Sequence, residues 1–347
     1  MEVIVISDIS FLLIIIIALA LLFTLTNGLH DASSVIATLI ASKGATPKRA
    51  VAFASLFGFL GVIFSGHLVG DAITGILNLE QEWNLLYVLV AGLLGALFWN
   101  LATWKLGIPS SSTHSLVGGL IGAALAYQGF SGVVWGIASD ELSGVLKVLV
   151  SLLISPLIGF LLAFILQKLS NILFRNANIG LNKLLNRLEW LIGAILAFSH
   201  GANDSQKTIG LVGVAYLVAG VSGFAGTNGI PLSVRLLFGL MMFLGTAFGG
   251  WKIIKTLGYK IYDLKTIHSF NSMLSSSLSL LLANITGAPV STTHVVVGSV
   301  VGVGAGDQYK LVNWHIFKDI VIAWLVTIPC SALVAGLFFI LLSWRFI

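Results

Sequence analysis

Ile108-Pro-Ser-Ser-Ser-Thr-His114-Ser-Leu-Val-Gly118 returns 180 residues later as Ala288-Pro-Val-Ser-Thr-Thr-His294-Val-Val-Val-Gly298. Two other landmarks recur in the same order. Asn27-Gly-Leu-His-Asp31 pairs with His200-Gly-Ala-Asn-Asp204, and Ser155-Pro156 pairs with Ile328-Pro329, each 173 residues apart. Three landmarks in one order at nearly one spacing mark an internal duplication: a first repeat over 1–169, a linker over 170–187 and a second repeat over 188–347. Each half reads as five apolar elements, about 9–42, 50–70, 84–106, 113–127 and 145–168, then 189–219, 231–251, 267–286, 292–305 and 315–343. Pro109 and Pro289 split the third element from the fourth, because proline breaks a helix interior and suits the first turn of the next. The pattern predicts a re-entrant helical hairpin in each half, and a first helix broken near Asn27-Gly28 and near Gly201. Non-helical backbone at membrane depth is tolerated only where it is buried or lines a wet cavity.

Composition sets the class. Hydrophobic residues make up 57% of the chain, charged residues 9%, and the mean hydropathy is +1.03. Soluble domains carry about a quarter charged residues, so this chain could not cover a water-facing surface. Its apolar runs reach the roughly 17–25 residues needed to cross about 30 Å of hydrocarbon as a helix. They lack the alternation of barrel strands. The expectation is an all-α polytopic membrane protein. Glu2 and Asp8 stand where a removable signal would need positive charge, so the first apolar run is expected to stay. Cys330 is the one cysteine, which excludes an internal disulfide. No Gly-x-x-x-x-Gly-Lys-Ser/Thr run is present, which argues for a gradient rather than ATP. No cofactor is expected.

The basic residues orient the chain. Lys43, Lys48 and Arg49 follow the first element. Lys168, Arg175, Lys183 and Arg187 fill or flank the linker, and Lys252, Lys255, Lys260, Lys265, Lys310 and Lys318 follow later elements. Loops 71–83, 128–144 and 220–230 contain no Lys or Arg but hold Asp71, Glu80, Glu82, Asp140 and Glu141. The positive-inside rule then puts the linker in the cytoplasm and both termini outside the cell membrane. The net charge of +5 reads as this orientation signal, not as a nucleic-acid surface. Each half crosses an odd number of times, so the halves are antiparallel. Inverted repeats with broken helices characterise secondary transporters, which bind at the repeat interface.

Asp31 and Asp204 are the two acids inside apolar segments away from the ends, and they occupy the same place in the two halves. An ionisable group there costs about 2.5–3.5 kcal/mol on insertion scales and needs a partner. The plain alternative is that each caps a broken helix. His200, Asp204 and Lys207 share a helix face, so Lys207 can neutralise Asp204, whereas Asp31 has Ser34 at the matching position. Lys207 could instead snorkel to an interface. A carboxylate without a lysine binds a cation or takes a proton, as a coupling site requires. Asn27, His30, Asn203 and Gln206 complete the two motifs as supporting residues. The hydroxyl runs Ser111-Ser112-Thr113 and Ser291-Thr292-Thr293 each precede a helix, where N–H groups and the positive dipole end favour an anion. Hydroxyls both donate and accept, which suits a tetrahedral oxyanion. Such runs are ordinarily N-caps; here they are duplicated, each with its own Pro and His. His114 and His294 either donate to the anion or hold the tips, the second being the stronger reading.

These motifs resemble those of the inorganic phosphate transporter (PiT) family, in particular its shorter prokaryotic branch. The resemblance rests on Gly28-Leu-His-Asp31-Ala, on Gly201-Ala-Asn-Asp204-Ser-Gln-Lys-Thr and on the tips at 109–114 and 289–294, and it covers nearly the whole chain. It implies a homodimer, inorganic phosphate held by the tip hydroxyls, and cation sites near the two aspartates. Sodium-using members commonly carry Asn three residues after each motif Asp, where this chain has Ser34 and Lys207. Lysine at the second position resembles the branch thought to couple phosphate to protons, sometimes as a neutral metal–phosphate complex. A proton is therefore the expected coupling ion at Asp31, with sodium beside Ser34 the alternative.

Rival readings are a sulfate permease of the same fold, a channel, and an intramembrane protease using Ser131 or Ser222. Both serines fall in expected outer loops, and a protease has no use for two copies of every polar motif. The topology is testable by single-cysteine labelling in a Cys330→Ser background. A cysteine in the 170–187 linker should resist membrane-impermeant reagent in intact cells, and labelling from outside would overturn the inverted arrangement.

Overall fold

The computed structural model describes the backbone of residues 2–78, 83–138, 141–221 and 230–346, and the side chains of 9–78, 83–136, 142–221 and 230–344. Glu80, Glu82, Asp140 and Ser222 lie outside the described residues, as do the side chains of Glu2, Asp8 and Glu141. Helices account for nearly all of it: α1 (Glu2–His30), α2 (Ala32–Ala41), α3 (Pro47–Ile63), α4 (Leu68–Thr74), α5 (Asn84–Leu106), α6 (Ser112–Gln128) and α7 (Gly144–Leu173). Then follow α8 (Gly180–Val218), α9 (Leu232–Phe248), α10 (Trp251–Lys255) with a π turn to Lys260, α11 (Thr266–Thr286), α12 (Thr292–Gln308) and α13 (Trp314–Phe346). The one described strand pair is two residues long, Ile137–Ala138 against Glu141–Leu142. Among the described residues four stretches are long and apolar enough to cross a membrane: Ile9–Ala41, Asn84–Leu106, Gly144–Leu173 and Trp314–Trp344. Two bent pairs, 47–74 and 232–260, raise the number to six.

The Pro-Ser/Thr corners fold alike. α5 ends on Gly107 and α11 on Gly287, both left-handed (φ 73° and 66°), the usual way to stop a helix. After the proline, Ser111 and Ser291 cap α6 and α12 by accepting from the backbone N–H of His114 (3.2 Å) and His294 (3.3 Å). α6 from Ser112 to Ala124 and α12 from Thr292 to Gly306 are buried on every side. A helix apolar all round belongs in an interior, and here the lining comes from the other half. α6 packs on α13, and α12 packs on α7. Likewise α1 packs on α9, and α8 packs on α3. Neither half buries its own hairpin alone.

Several expectations need correction. The first helix of the second half is unbroken: α8 runs through Gly201 and Asp204 without interruption. Asp204 is satisfied by His200 and Lys207 from its own helix face, so nothing draws its backbone out of register. In the first half the break falls at Asp31 itself, whose carbonyl accepts from both the N–H (3.0 Å) and the Oγ (2.5 Å) of Ser34. The second element of each half is bent instead of straight, by 77° between α3 and α4 and by 57° after α9. Both corners clasp the motif segments. Gln206 Oε1 accepts from Val69 N–H at 3.1 Å, and Gly250 lies against Leu29 O and Ser33. Helices α7 and α8 also run into the expected linker, leaving only 174–179 between them. Finally, α5 has 23 residues and meets the length of a full span, longer than one arm of a shallow hairpin requires.

Gly118 on α6 sits against Ile328 O and Ser331, and its counterpart Gly298 on α12 sits against Pro156 O. Small residues at such crossings let membrane helices approach closely. Gly298→Ala would press a methyl into that carbonyl. Overpacking of this kind costs about 1–3 kcal/mol, so the thermal midpoint in detergent should fall, and an unchanged midpoint would show the crossing to be loose.

Candidate functional site

The two motif segments and the two hairpin tips meet in one enclosed cluster. Asp31 is 2% exposed, Asp204 1% and Lys207 1%. Each aspartate is fixed by its own helix and then reached by groups from the opposite half.

Asp31 collects hydroxyls. Its Oδ1 accepts from Thr293 Oγ1 at 2.7 Å, and its Oδ2 accepts from Ser112 Oγ. Asn27, one turn earlier, places its amide nitrogen 2.8 Å from Asp31 Oδ2 and 3.2 Å from Asp204 Oδ2. That orientation puts a donor between two carboxylates, where an amide oxygen would be repelled. His30 Nδ1 lies 3.4 Å from Asp31 Oδ1, and its Nε2 faces Ser110 Oγ (3.4 Å) and Thr103 Oγ1 (3.5 Å). No Lys or Arg pairs with Asp31 among the described residues.

Asp204 has a resident cation. Lys207 Nζ binds Asp204 Oδ1 and also donates to Thr113 Oγ1 (2.6 Å) and to the Val290 carbonyl (2.9 Å). All three ammonium protons are thereby used. Lys207 therefore does not snorkel; a carboxylate, a hydroxyl and a carbonyl drawn from both halves enclose it. His200 Nδ1 lies 3.0 Å from Asp204 Oδ2 and 3.1 Å from Thr292 Oγ1.

The pattern is reciprocal. Ser112 and Thr292, equivalent by the 180-residue spacing, reach the motif of their own half, at Asp31 and His200. Thr113 and Thr293 reach across, to Lys207 and Asp31. Four of the six hydroxyls proposed from sequence thus converge on three groups of the motifs, Asp31, His200 and Lys207. Ser111 and Ser291 are buried beside them, with their oxygens engaged as helix caps.

Other expected residues stand apart. Ser34 turns its hydroxyl to the Asp31 carbonyl and not to the carboxylate. Asn203 donates to Asn284 Oδ1 (2.9 Å) and Ala288 O (3.4 Å), and Gln206 braces α4. His114 and His294 stack on each other with centroids 4.4 Å apart, and His294 stacks on Trp324 at 3.6 Å, which matches a role in holding the tips. Trp324 Nε1 donates to Pro109 O at 3.1 Å, pinning the first corner. Sequence reasoning passed over Thr103, Trp324 and the Val290 carbonyl. A backbone carbonyl carries no sequence signal. Ser131, raised as a nucleophile, is exposed and hydrogen-bonded to its own turn at Gln128 O (2.9 Å).

Removing one member of a buried ion pair leaves an uncompensated charge and costs about 3–5 kcal/mol. Lys207→Met should lower thermal stability by that order, and Lys207→Met with Asp204→Asn should regain most of it. Equal destabilisation by the single and the double substitution would mean that Lys207 matters only for packing.

Residues 27–335 match the model of the phosphate transporter family. A Rhizobium meliloti protein described as "Probable low-affinity inorganic phosphate transporter" is 38% identical over 94% of this chain and 95% of its own. A Bacillus subtilis protein of the same description is 36% identical over 96% and 98%. Among solved structures, one described as "The sodium-dependent phosphate transporter" superposes with a TM-score of 0.85 at 27% identity, covering 96% of this chain and 100% of that one. These relatives are transporters, not enzymes, which removes the protease reading. With its motifs gathered at one buried site and its family model matched over most of its length, the chain belongs to the phosphate transporter family.

Proposed function

We propose that this protein is a cation-coupled symporter of inorganic phosphate, built from two inverted repeats over 1–169 and 188–347 in the cell membrane, with both termini outside. The reciprocal packing of α6 on α13 and α12 on α7 supports the repeat reading. The Lys/Arg asymmetry supports the orientation. A homodimer is part of this proposal by family resemblance.

The observation that carries the mechanism is the contrast between the two aspartates. Lys207, ringed by Asp204 Oδ1, Thr113 Oγ1 and Val290 O, takes the place of a bound monovalent cation. Asp31 has hydroxyl and amide donors in place of a cation. Phosphate is an anion, so a charged Asp31 opposes its entry. A hydroxyl has one proton to donate, so Ser112 and Thr293 cannot serve Asp31 and phosphate at once. Loading Asp31 with a cation removes the repulsion and turns both hydroxyls towards the substrate. Ser111, Ser112, Thr113, Ser291, Thr292 and Thr293 then supply the phosphate contacts, and each charge-assisted bond contributes about 1.5–3 kcal/mol. A proton is the coupling ion in this reading, and the substrate includes phosphate complexed to a divalent metal. Phosphate is preferred to sulfate because its own O–H can donate to the tip hydroxyls, which accept as well as donate. Sodium is the second reading, favoured by the solved relative described as sodium-dependent.

Uptake of radiolabelled phosphate into proteoliposomes, with and without sodium at two pH values and with sulfate as competitor, tests this. Wild-type uptake should follow the proton gradient, and Asp31→Asn should abolish accumulation while sparing exchange. Lys207→Asn should expose Asp204 and create sodium dependence, visible also as a sodium-induced rise in melting temperature. A Lys207→Asn protein with wild-type rates and unchanged ion response would falsify the tethered-cation mechanism.

A further inference from the structure

Glu189 is a buried acid that the transport site does not use. It lies on α8 fifteen residues before Asp204, about 22 Å along the helix at about 1.5 Å per residue, and its side chain is fully enclosed. Sequence reading passed over it because it stands at the start of an apolar run, two residues after Arg187.

Three elements close over its carboxyl. Ser42, just past α2, donates to Oε1 at a long 3.5 Å. Ser269 on α11, whose hydroxyl faces Met273 Sδ at 3.6 Å, lies beside the same group. Gly44 presses so close to Oε2 that any side chain there would collide with it. Oε2 has no hydrogen-bond partner among the described residues. The charged groups of every surrounding element are turned elsewhere. Lys43 in the loop, Lys48 and Arg49 on α3, Lys183 and Arg187 on α8, and Lys265 at the start of α11 are exposed. His268 on α11 faces Asp307 Oδ2 at 3.3 Å, and α2 has no titratable residue.

An enclosed carboxylate with one long hydroxyl bond and no cation is untenable as an anion. It must hold a positive charge of its own. Among the described residues no group of three or more His, Cys, Asp or Glu gathers here to hold a metal ion, whereas a proton needs none. Buried hydroxyls without partners continue from this point towards the transport site: Thr38 Oγ1 four residues before Ser42, Ser272 Oγ three after Ser269, and Ser199 Oγ on α8.

We propose that Glu189 is a second proton-binding site, at the linker-side end of the passage, and that it latches the loop 42–46. The neutral carboxyl keeps the loop seated on α8 and α11. When the carboxyl releases its proton to water on that side, the ionised group can no longer stay enclosed, and the loop lifts to hydrate it. The latch rests on the transport reading for its purpose and not for its test.

The test uses the full-length protein in lipid. Infrared difference spectra of wild type and Glu189→Gln should show a protonated-carboxyl C=O band that titrates in wild type and is missing in the variant. Hydrogen exchange of amides 42–46, corrected for the intrinsic pH effect, should rise about tenfold across that titration in wild type. It should stay low at every pH in Glu189→Gln, which mimics the neutral form. Loops that respond alike in both proteins, or a wild-type spectrum with no band belonging to Glu189, would overturn the latch. So would a Glu189 carboxylate band that shifts on adding sodium, since that assigns the site to a metal ion. None of these readings depends on phosphate uptake, so failure of the transport mechanism and failure of the latch are separable.

Discussion

Two buried carboxylates share one amide. Asn27 lies between Asp31 and Asp204, within 2.8 and 3.2 Å of their facing oxygens, and the surrounding helices exclude solvent from both. Like charges this close, at low dielectric, repel by several kcal/mol unless something positive stands nearby. The architecture is arranged around that demand. Lys207 answers half of it from the next turn of α8. The hydroxyls of the hairpin tips answer part of the rest, and they reach the site only because α6 and α12 start there, with their first-turn N–H groups and positive dipole ends aimed inward. The corners before these helices need Gly107 and Gly287 to stop one helix and Ser111 and Ser291 to start the next.

The reciprocal bonding links this electrostatic problem to motion. Each tip gives one hydroxyl to the motif of its own half and one to the motif of the other. A change of charge at Asp31 is therefore felt by Ser112 from the first hairpin and Thr293 from the second together. Because α6 is packed on α13 and α12 on α7, a tip cannot shift without a terminal helix of the opposite half. Pro156 and Pro329 lie inside those two terminal helices, where each removes a backbone hydrogen bond and loosens the helix. The hydroxyls that respond to the charge on Asp31 and the proline-bearing helices are thus joined through α6 and α12.

The helical class and the corners at Pro109 and Pro289 were legible because each rests on local chemistry: apolar length and proline punctuation. The unbroken α8 was not legible, since Gly201 invites a break and only three-dimensional satisfaction of Asp204 argues against it. The bends after α3 and α9 were hidden for a related reason. Gly249 and Gly250 read as ordinary glycines until Gly250 is seen against Leu29 O and Ser33. Ser34 was misplaced by assuming that a residue one turn after an aspartate faces its carboxylate; at a helix break the backbone carbonyl competes for the same hydroxyl, and here it wins. Glu189 escaped because sequence shows how apolar a segment is and not which loop folds over its end.

Three of the aligned positions at which the two motifs differ bear on the charge of the site. Asn27 and His30 of the first half stand opposite His200 and Asn203 of the second, so amide and imidazole have changed places; Ser34 stands opposite Lys207. The first exchange gives one bridging amide between the carboxylates and one histidine beside each. The second removes one cation from the list of those that must be supplied. With two carboxylates and one lysine, the empty site has one negative charge in excess, before any phosphate arrives. A twin-aspartate site without the lysine would have two. On this accounting, one external cation brings the protein groups to neutrality, and any further cation offsets charge on the substrate itself. In the proposed mechanism, a lysine three residues after a motif aspartate thus lowers the number of cations that have to move with each phosphate, and with it the steepness with which a gradient can drive accumulation.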